Sequence, residues 1–254
     1  RAAAKNFKDV VVISDPEDYD KIIDEWNANG GISYDLRKYL SQKVFALMSD
    51  YNKSISDYLN GDDRKIHDYI IKKSTSLRYG ENPHQSATLF TFDNLENRNI
   101  ANAKIIQGKE LSYNNIVDAD AAWECVREFI NPACVIVKHA NPCGVAEANT
   151  IDDAYDLAFK TDPTSAFGGI IALNKKVGLA TAKEINSRQF VEVIIAPEFE
   201  EEAINEFSNK KNIRILKVDI KQDNPYPGTI KKISGGILVQ DDDEKSVGID
   251  DLKC

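Results

Sequence analysis

The sequence predicts an α/β fold, and three observations carry that expectation. Short β-branched runs alternate with stretches of helical spacing through most of the chain, the pattern of a sheet layered with helices. The run 134–137, C-V-I-V, is continuously apolar, as a strand buried on both faces requires. Glycine and proline clusters fall where these runs stop.

The elements follow in order. Residues 10–14 read as a short strand. Asp15-Pro16 opens a helix with proline in its first turn, running to about Ala28, where Asn29-Gly30-Gly31 stops it. Leu36, Leu40, Val44, Leu47, Ile55 and Leu59 recur at helical spacing, which predicts one long helix or two abutting ones over 33–59. Tyr34, Tyr39, Tyr51 and Tyr58 on that stretch read as interdomain packing rather than a ligand box. Gly61-Asp62-Asp63 breaks the pattern and 72–76 reads as a polar connector, so a domain boundary is set between 73 and 74. Beyond it, strands at 87–92 and 134–137 alternate with helices at 116–128 and 152–159. Further strands are expected at 169–173, 193–196, 213–218 and 237–240, with a helix at 181–187.

Composition excludes several classes. With 254 residues, 42% hydrophobic and 29% charged, the chain suits one large or two modest globular domains. Its 32 basic and 41 acidic residues leave a net charge of −9, which opposes binding to nucleic acid or an anionic membrane. An anionic substrate must then be caught by a local cluster. No apolar run reaches the roughly 18 residues of a membrane span and no signal-peptide pattern opens the chain, so a cytoplasmic location is expected. The start at Arg1 and the lone Met48 read as a fragment of a longer protein. Cys125, Cys134, Cys143 and Cys254 never form C-x-x-C, so neither a disulfide framework nor a zinc knuckle is indicated. Cys125 and Cys134 read as core residues. Cys143 is the candidate nucleophile or ligand, but a zinc deaminase would want H-x-E and P-C-x-x-C where the chain has H-A-N and P-C-G-V-A. No metal is expected.

Three segments carry polar groups beside apolar runs. A-C-V-I-V-K-H-A-N-P-C-G-V-A at 133–146 puts Lys138 and His139 where a strand ends, the place where α/β proteins hold their chemistry; Pro142 and Gly144 are expected to forbid regular structure beyond. T-D-P-T-S-A-F-G-G-I-I-A-L-N at 161–174 reads as a turn-rich polar loop before a strand. Thr164, Ser165 and the Gly168-Gly169 backbone can offer donors to an anionic or amide-bearing ligand, though a plain tight turn explains them equally. L-R-Y-G-E-N-P-H-Q at 77–85 combines a bidentate phosphate donor, Arg78, with an aromatic face, Tyr79, and His84 on an irregular path.

Together with G-K-E-L-S-Y-N-N-I-V-D-A-D-A-A at 108–122, and in this order, these strings resemble the AICAR transformylase/IMP cyclohydrolase family of purine biosynthesis. The likeness extends to V-E-V-I-I-A-P-E-F-E-E-E-A at 191–203, S-G-G-I-L-V-Q-D at 234–241 and the opening R-A-A-A-K-N-F-K-D-V. The resemblance implies the C-terminal tail of a cyclohydrolase domain over 1–73, then the first part of a cytidine-deaminase-like layered α/β transformylase domain over 74–254. It also implies formyl transfer from 10-formyltetrahydrofolate to AICAR, cyclisation of the product to IMP, no zinc, and a homodimer.

By the same resemblance His139 is the base, Lys138 stabilises developing charge, Arg78 holds the nucleotide phosphate and Tyr79 lies against sugar or base. Asn115 and Asn141 fall among the nucleotide contacts, and Ser165, Phe167 and Gly168 form the loop around the carboxamide. Lys5 matches a cyclohydrolase lysine. A catalytic asparagine and much of the folate site are expected beyond Cys254, so the chain alone is expected to be inactive. A deaminase-like hydrolase using His139 and Cys143, or a non-catalytic dimerisation scaffold, are the alternatives.

Overall fold

In the computed structural model, which describes residues 1–60, 71–92, 99–220, 228–241 and 243, the chain divides into two units, 1–65 and 66–254. The first is helical. A single turn, α1 (Ala2–Lys5), precedes residues 10–14, which form no strand. Their V-V-V-I run has β propensity, but a strand exists only in a ladder, and the described part of this unit offers no partner. The Asp15 carboxylate accepts the Glu17 N–H at 3.0 Å and caps a 3-10 turn, Pro16–Asp18, which leads into α2 (Tyr19–Asn29). Gly30 ends α2 at φ +67°, returning its N–H to the Trp26 carbonyl at 2.7 Å.

One unbroken helix, α3 (Tyr34–Asn60), follows, with Leu36, Leu40 and Val44 buried along one stripe. Lys43 reaches Asp15 at 2.7 Å and Asp18 at 2.5 Å. Those bonds hold the Lys43 ammonium above the usual lysine range and the Asp15 carboxyl below the usual carboxylate range. Of the tyrosines expected to pack between domains, Tyr34 meets Phe7 of its own unit at 5.5 Å and Tyr39 lies under Lys21 at 4.6 Å, while Tyr51 and Tyr58 are exposed. The Gly61-Asp62-Asp63 break lies outside the described residues.

In the second unit the expected connector at 72–76 is instead part of β1 (Ile71–Leu77), paired antiparallel with β2 (Ala87–Phe92). Its polar K-K-S-T-S stretch hides a strand that sequence hydropathy does not mark. The main sheet has six strands: β3 (Lys104–Gln107), β4 (Ala133–Lys138), β5 (Asn141–Glu147), β6 (Gly169–Leu173), β7 (Val191–Ala196) and β8 (Arg214–Lys217). Their spatial order is β3-β8-β7-β6-β4-β5, with β6, β7 and β8 mutually parallel and the other pairs antiparallel.

Helices cover both faces. The helix α4 (Tyr113–Arg127) lies on one, where Trp123, Val126, Val135, Val137, Ile170 and Val193 share a core. The other core joins Ile136, Ile171 and Ile194 to Tyr155 of α5 (Ile151–Thr161), Ile185 of α7 (Leu179–Arg188) and Phe207 of α8 (Glu201–Ser208). Burial on both sides is why β4 and β6 read as continuous apolar runs. A separate hairpin, β9 (Thr229–Ile233) with β10 (Gly236–Gln240), is exposed throughout.

The strand β5 overturns the expectation that Pro142 and Gly144 end regular structure. It is the edge strand of the sheet, where a residue without an N–H is tolerated, and the pairing shifts register between Ile136 and Val137 to admit it. Gly144 marks close approach rather than a turn: a Cβ there would stand 2.1 Å from the Ala158 carbonyl oxygen of α5. Among the described residues no helix is long and apolar enough to cross a membrane.

Candidate active site

Because β4 runs antiparallel to β6 and β6 runs parallel to β7, the end of β4 and the starts of β6 and β7 lie at one edge of the sheet. Lys138 and Asn141 face each other across β4 and β5, which leaves His139 and Ala140 as a two-residue hairpin loop. Both have positive φ, +54° and +58°, as in a type I′ turn. Such a turn normally uses Asn-Gly or Gly-Gly, and a side chain in this region costs on the order of 1–2 kcal/mol per residue. The strain must be offset by contacts around the turn.

Three hydrogen bonds do so. The Ala140 N–H donates to Asp118 Oδ1 of α4 at 2.7 Å, and Asn141 Nδ2 donates to the His139 carbonyl at 2.7 Å. Lys138 Nζ donates to the Phe167 carbonyl at 2.6 Å. A bond to a charged group is worth about 1.5–3 kcal/mol, so two of the three match the strain in scale. His139 is left at the apex, exposed, and among the described residues nothing hydrogen-bonds its ring. An imidazole so presented can take a proton from a bound molecule, and the residue before it, Lys138, has its ammonium held in place by the Phe167 carbonyl.

The segment below Lys138 is not the polar loop that its composition suggests. Residues Pro163–Ala166 form a helical turn, α6, capped by Asp162, which accepts both the Ser165 N–H at 3.0 Å and the Ser165 hydroxyl at 2.5 Å. Those two donors hold the Asp162 carboxyl below its ordinary range. The hydroxyl of Ser165 is thus committed as a donor and keeps only its acceptor side for a ligand. Gly168 takes φ +76° and donates its N–H to the Phe190 carbonyl at 2.8 Å, while the Phe167 and Phe190 rings tilt together at 5.8 Å. Phe167 remains 60% exposed, a free aromatic face at the site edge.

Asn115 is 4% exposed and closes a capping box with Ser112 at the start of α4. Its Nδ2 donates to Glu192 of β7 at 2.8 Å and its Oδ1 accepts the Ser112 N–H at 3.2 Å, so one amide hydrogen remains for a ligand. Asp118 lies three residues further along the same helical face. Neither Asp118 nor Glu192 stands out in the sequence. The signal for Asp118 is its i+3 spacing from Asn115; for Glu192, a lone charge at the start of an apolar strand.

Arg78 and Tyr79 sit on the loop between β1 and β2, with the guanidinium 5.2 Å over the Tyr79 ring. Gly80 N–H to the Gln85 carbonyl at 2.8 Å shapes this loop, and Asn114 Nδ2 to the Glu81 carbonyl at 3.2 Å ties it to the start of α4. A cavity of about 500 Å³ opens there, lined by Gly80, Glu81, His84, Gln85, Ser86 and Tyr113. The helix α4 therefore touches both the Arg78 loop and the His139 turn. Lys5 belongs to the other unit, exposed at the end of α1.

Cys143 is half-buried and its thiol donates to the Ile136 carbonyl at 3.5 Å. Burial pushes that thiol up, with Asp162 adding to the shift and Lys138 opposing it. A protonated, inward-facing thiol is a poor nucleophile. Among the described residues no three His, Cys, Asp or Glu side chains are grouped as a metal would need.

The family model for the AICARFT/IMPCHase bienzyme matches residues 3–254. Proteins named bifunctional purine biosynthesis protein PurH from two strains of Clostridium kluyveri are each 49% identical to the chain over 250 residues. Each alignment covers 97% of this chain and 49% of the relative, so the chain spans about half the length of the relatives it matches.

Proposed function

The chain belongs to the AICARFT/IMPCHase bienzyme family, and from that premise we propose that its protein formylates AICAR with 10-formyltetrahydrofolate and cyclises the product to IMP. The observation that carries this reading is the His139 imidazole, exposed at the apex of an anchored turn directly after Lys138, whose ammonium is held by the Phe167 carbonyl.

The AICAR 5-amino group is a weak nucleophile, because the imidazole ring and the carboxamide withdraw its lone pair. As its nitrogen bonds to the formyl carbon, His139 removes its proton and Lys138 stabilises the charge building on the formyl oxygen. The bond from the formyl carbon to the folate nitrogen then breaks, and that nitrogen leaves as an amine after taking up a proton. In the second reaction the carboxamide nitrogen attacks the new formyl carbon and water is lost. Lys5 is placed with that step.

Arg78 takes the nucleotide phosphate and Tyr79 the sugar or base. Asn115, Asn141, Ser165, Phe167 and Gly168 line the nucleotide; Ser165 serves as an acceptor and Asn115 through its remaining amide hydrogen. In this reading residues 1–73 are the tail of the cyclohydrolase half. Residues 74–254 open a transformylase half of cytidine-deaminase-like layering, and the whole protein is a homodimer.

The test is product analysis on the complete polypeptide supplied with AICAR and 10-formyltetrahydrofolate. Release of tetrahydrofolate with formation of IMP is expected, and the absence of any formylated product would overturn the reading. Arg78 carries its own expected result. Arg78→Lys keeps the charge but loses the forked geometry, so calorimetry should show AICAR binding weaker by about 1–3 kcal/mol. Unchanged affinity would return Arg78 to a structural role.

A further inference from the structure

We propose that Asp118 is a positioning residue for the His139 base, acting through the Ala140 amide; the proposal rests on the reading of His139 given above. In a two-residue hairpin the central amides lie outside the strand ladder and need another acceptor. Asp118 Oδ1 is that acceptor for Ala140, at 2.7 Å.

The three bonds around the turn are not equivalent. Asn141 to the His139 carbonyl is internal to the turn, and Lys138 to the Phe167 carbonyl reaches only the segment before β6. Only the Asp118 bond joins the turn to α4, whose Ala119, Ala122, Trp123 and Val126 are buried in the core. A reactive group keeps its position when its support is a rigid element rather than a loop. Neighbouring positive φ values at His139 and Ala140 also make the turn dependent on such support, since neither residue prefers that backbone.

Four variants of the complete polypeptide test this, Asp118→Ala, Asp118→Asn, Ala140→Gly and the double variant of Asp118→Ala with Ala140→Gly, each with two readouts. One is hydrogen exchange of the Ala140 amide; the other is steady-state formyl transfer. In Asp118→Ala, Ala140 exchange should quicken at least about tenfold and kcat should fall about 10- to 100-fold, with KM for AICAR within about threefold, because misplacement by an ångström can cost that much rate. Asp118→Asn keeps an oxygen acceptor, so both readouts should stay within a few-fold of wild type. Ala140→Gly relieves the backbone strain, so adding it to Asp118→Ala should recover several-fold in kcat.

Unchanged kcat in Asp118→Ala, or Asp118→Asn falling as far as Asp118→Ala, would overturn the proposal. If Asp118→Ala does not fold, the double variant compared with Ala140→Gly carries the same test. If wild type transfers no formyl group, the functional reading has failed; slow Ala140 exchange, lost in Asp118→Ala, would then still establish the anchor.

Discussion

Replacing His139 by alanine in the complete polypeptide should lower formyl transfer about 10²–10⁴-fold, or about 3–5 kcal/mol of transition-state stabilisation, with little change in AICAR affinity. The split follows from the geometry. His139 stands at the apex of the turn and among the described residues nothing hydrogen-bonds its ring, whereas the turn itself is held by the Asp118 and Asn141 side chains. Alanine already occupies the next position at nearly the same positive φ, so this backbone can accommodate the substitution. Single-turnover kinetics would separate the chemical step from product release. A variant keeping more than a tenth of the wild-type kcat would remove His139 from the role of base.

The largest effect on stability is expected at Gly144. A Cβ there meets the Ala158 carbonyl oxygen at 2.1 Å and its carbon at 2.9 Å, both main-chain atoms of a helix packed on the core. Neither can move as a side chain would, so Gly144→Ala must push α5 from the sheet or displace the edge strand. Overpacking of this kind costs about 3 kcal/mol or more, which for a unit of this size lowers Tm by roughly 6–12 °C. Gly31→Ala is the matched control, since nothing lies within 4 Å of a Cβ there. Thermal unfolding of both variants checks the claim, and a Gly144→Ala Tm within 2 °C of wild type would refute it.

The same glycine shows where sequence reading stops. The strands β4 and β6 were legible because burial on both faces leaves an unbroken apolar run, and α2 and α3 because their stripe and caps are local. In contrast, Pro142 and Gly144 carry the composition of a loop, while their position at a sheet edge and under α5 makes them strand residues. Residues 10–14 show the converse: apolar and β-branched, but without a ladder.

At the site, the segments holding Lys138, His139, Asn141, Phe167 and Gly168 were each visible as strings. Their meeting is a property of antiparallel pairing between β4 and β6, which no local pattern encodes. The turn at His139-Ala140 was invisible because it lacks glycine, and Asp118 because its partner is a backbone amide 22 positions away.

Helix α4 holds three separate parts of the molecule through its first two turns. Asn114 bonds the Arg78 loop, Asn115 the start of β7 and Asp118 the His139 turn. Each residue of a helix advances about 1.5 Å and turns about 100° from the last, so the directions of these bonds are fixed relative to one another. Point substitutions can remove them singly, but a one-residue deletion between Asn115 and Asp118 would leave the two residues about 200° apart around the helix, on opposite faces. Deletions in descendants of this chain should therefore be absent from the first two turns of α4.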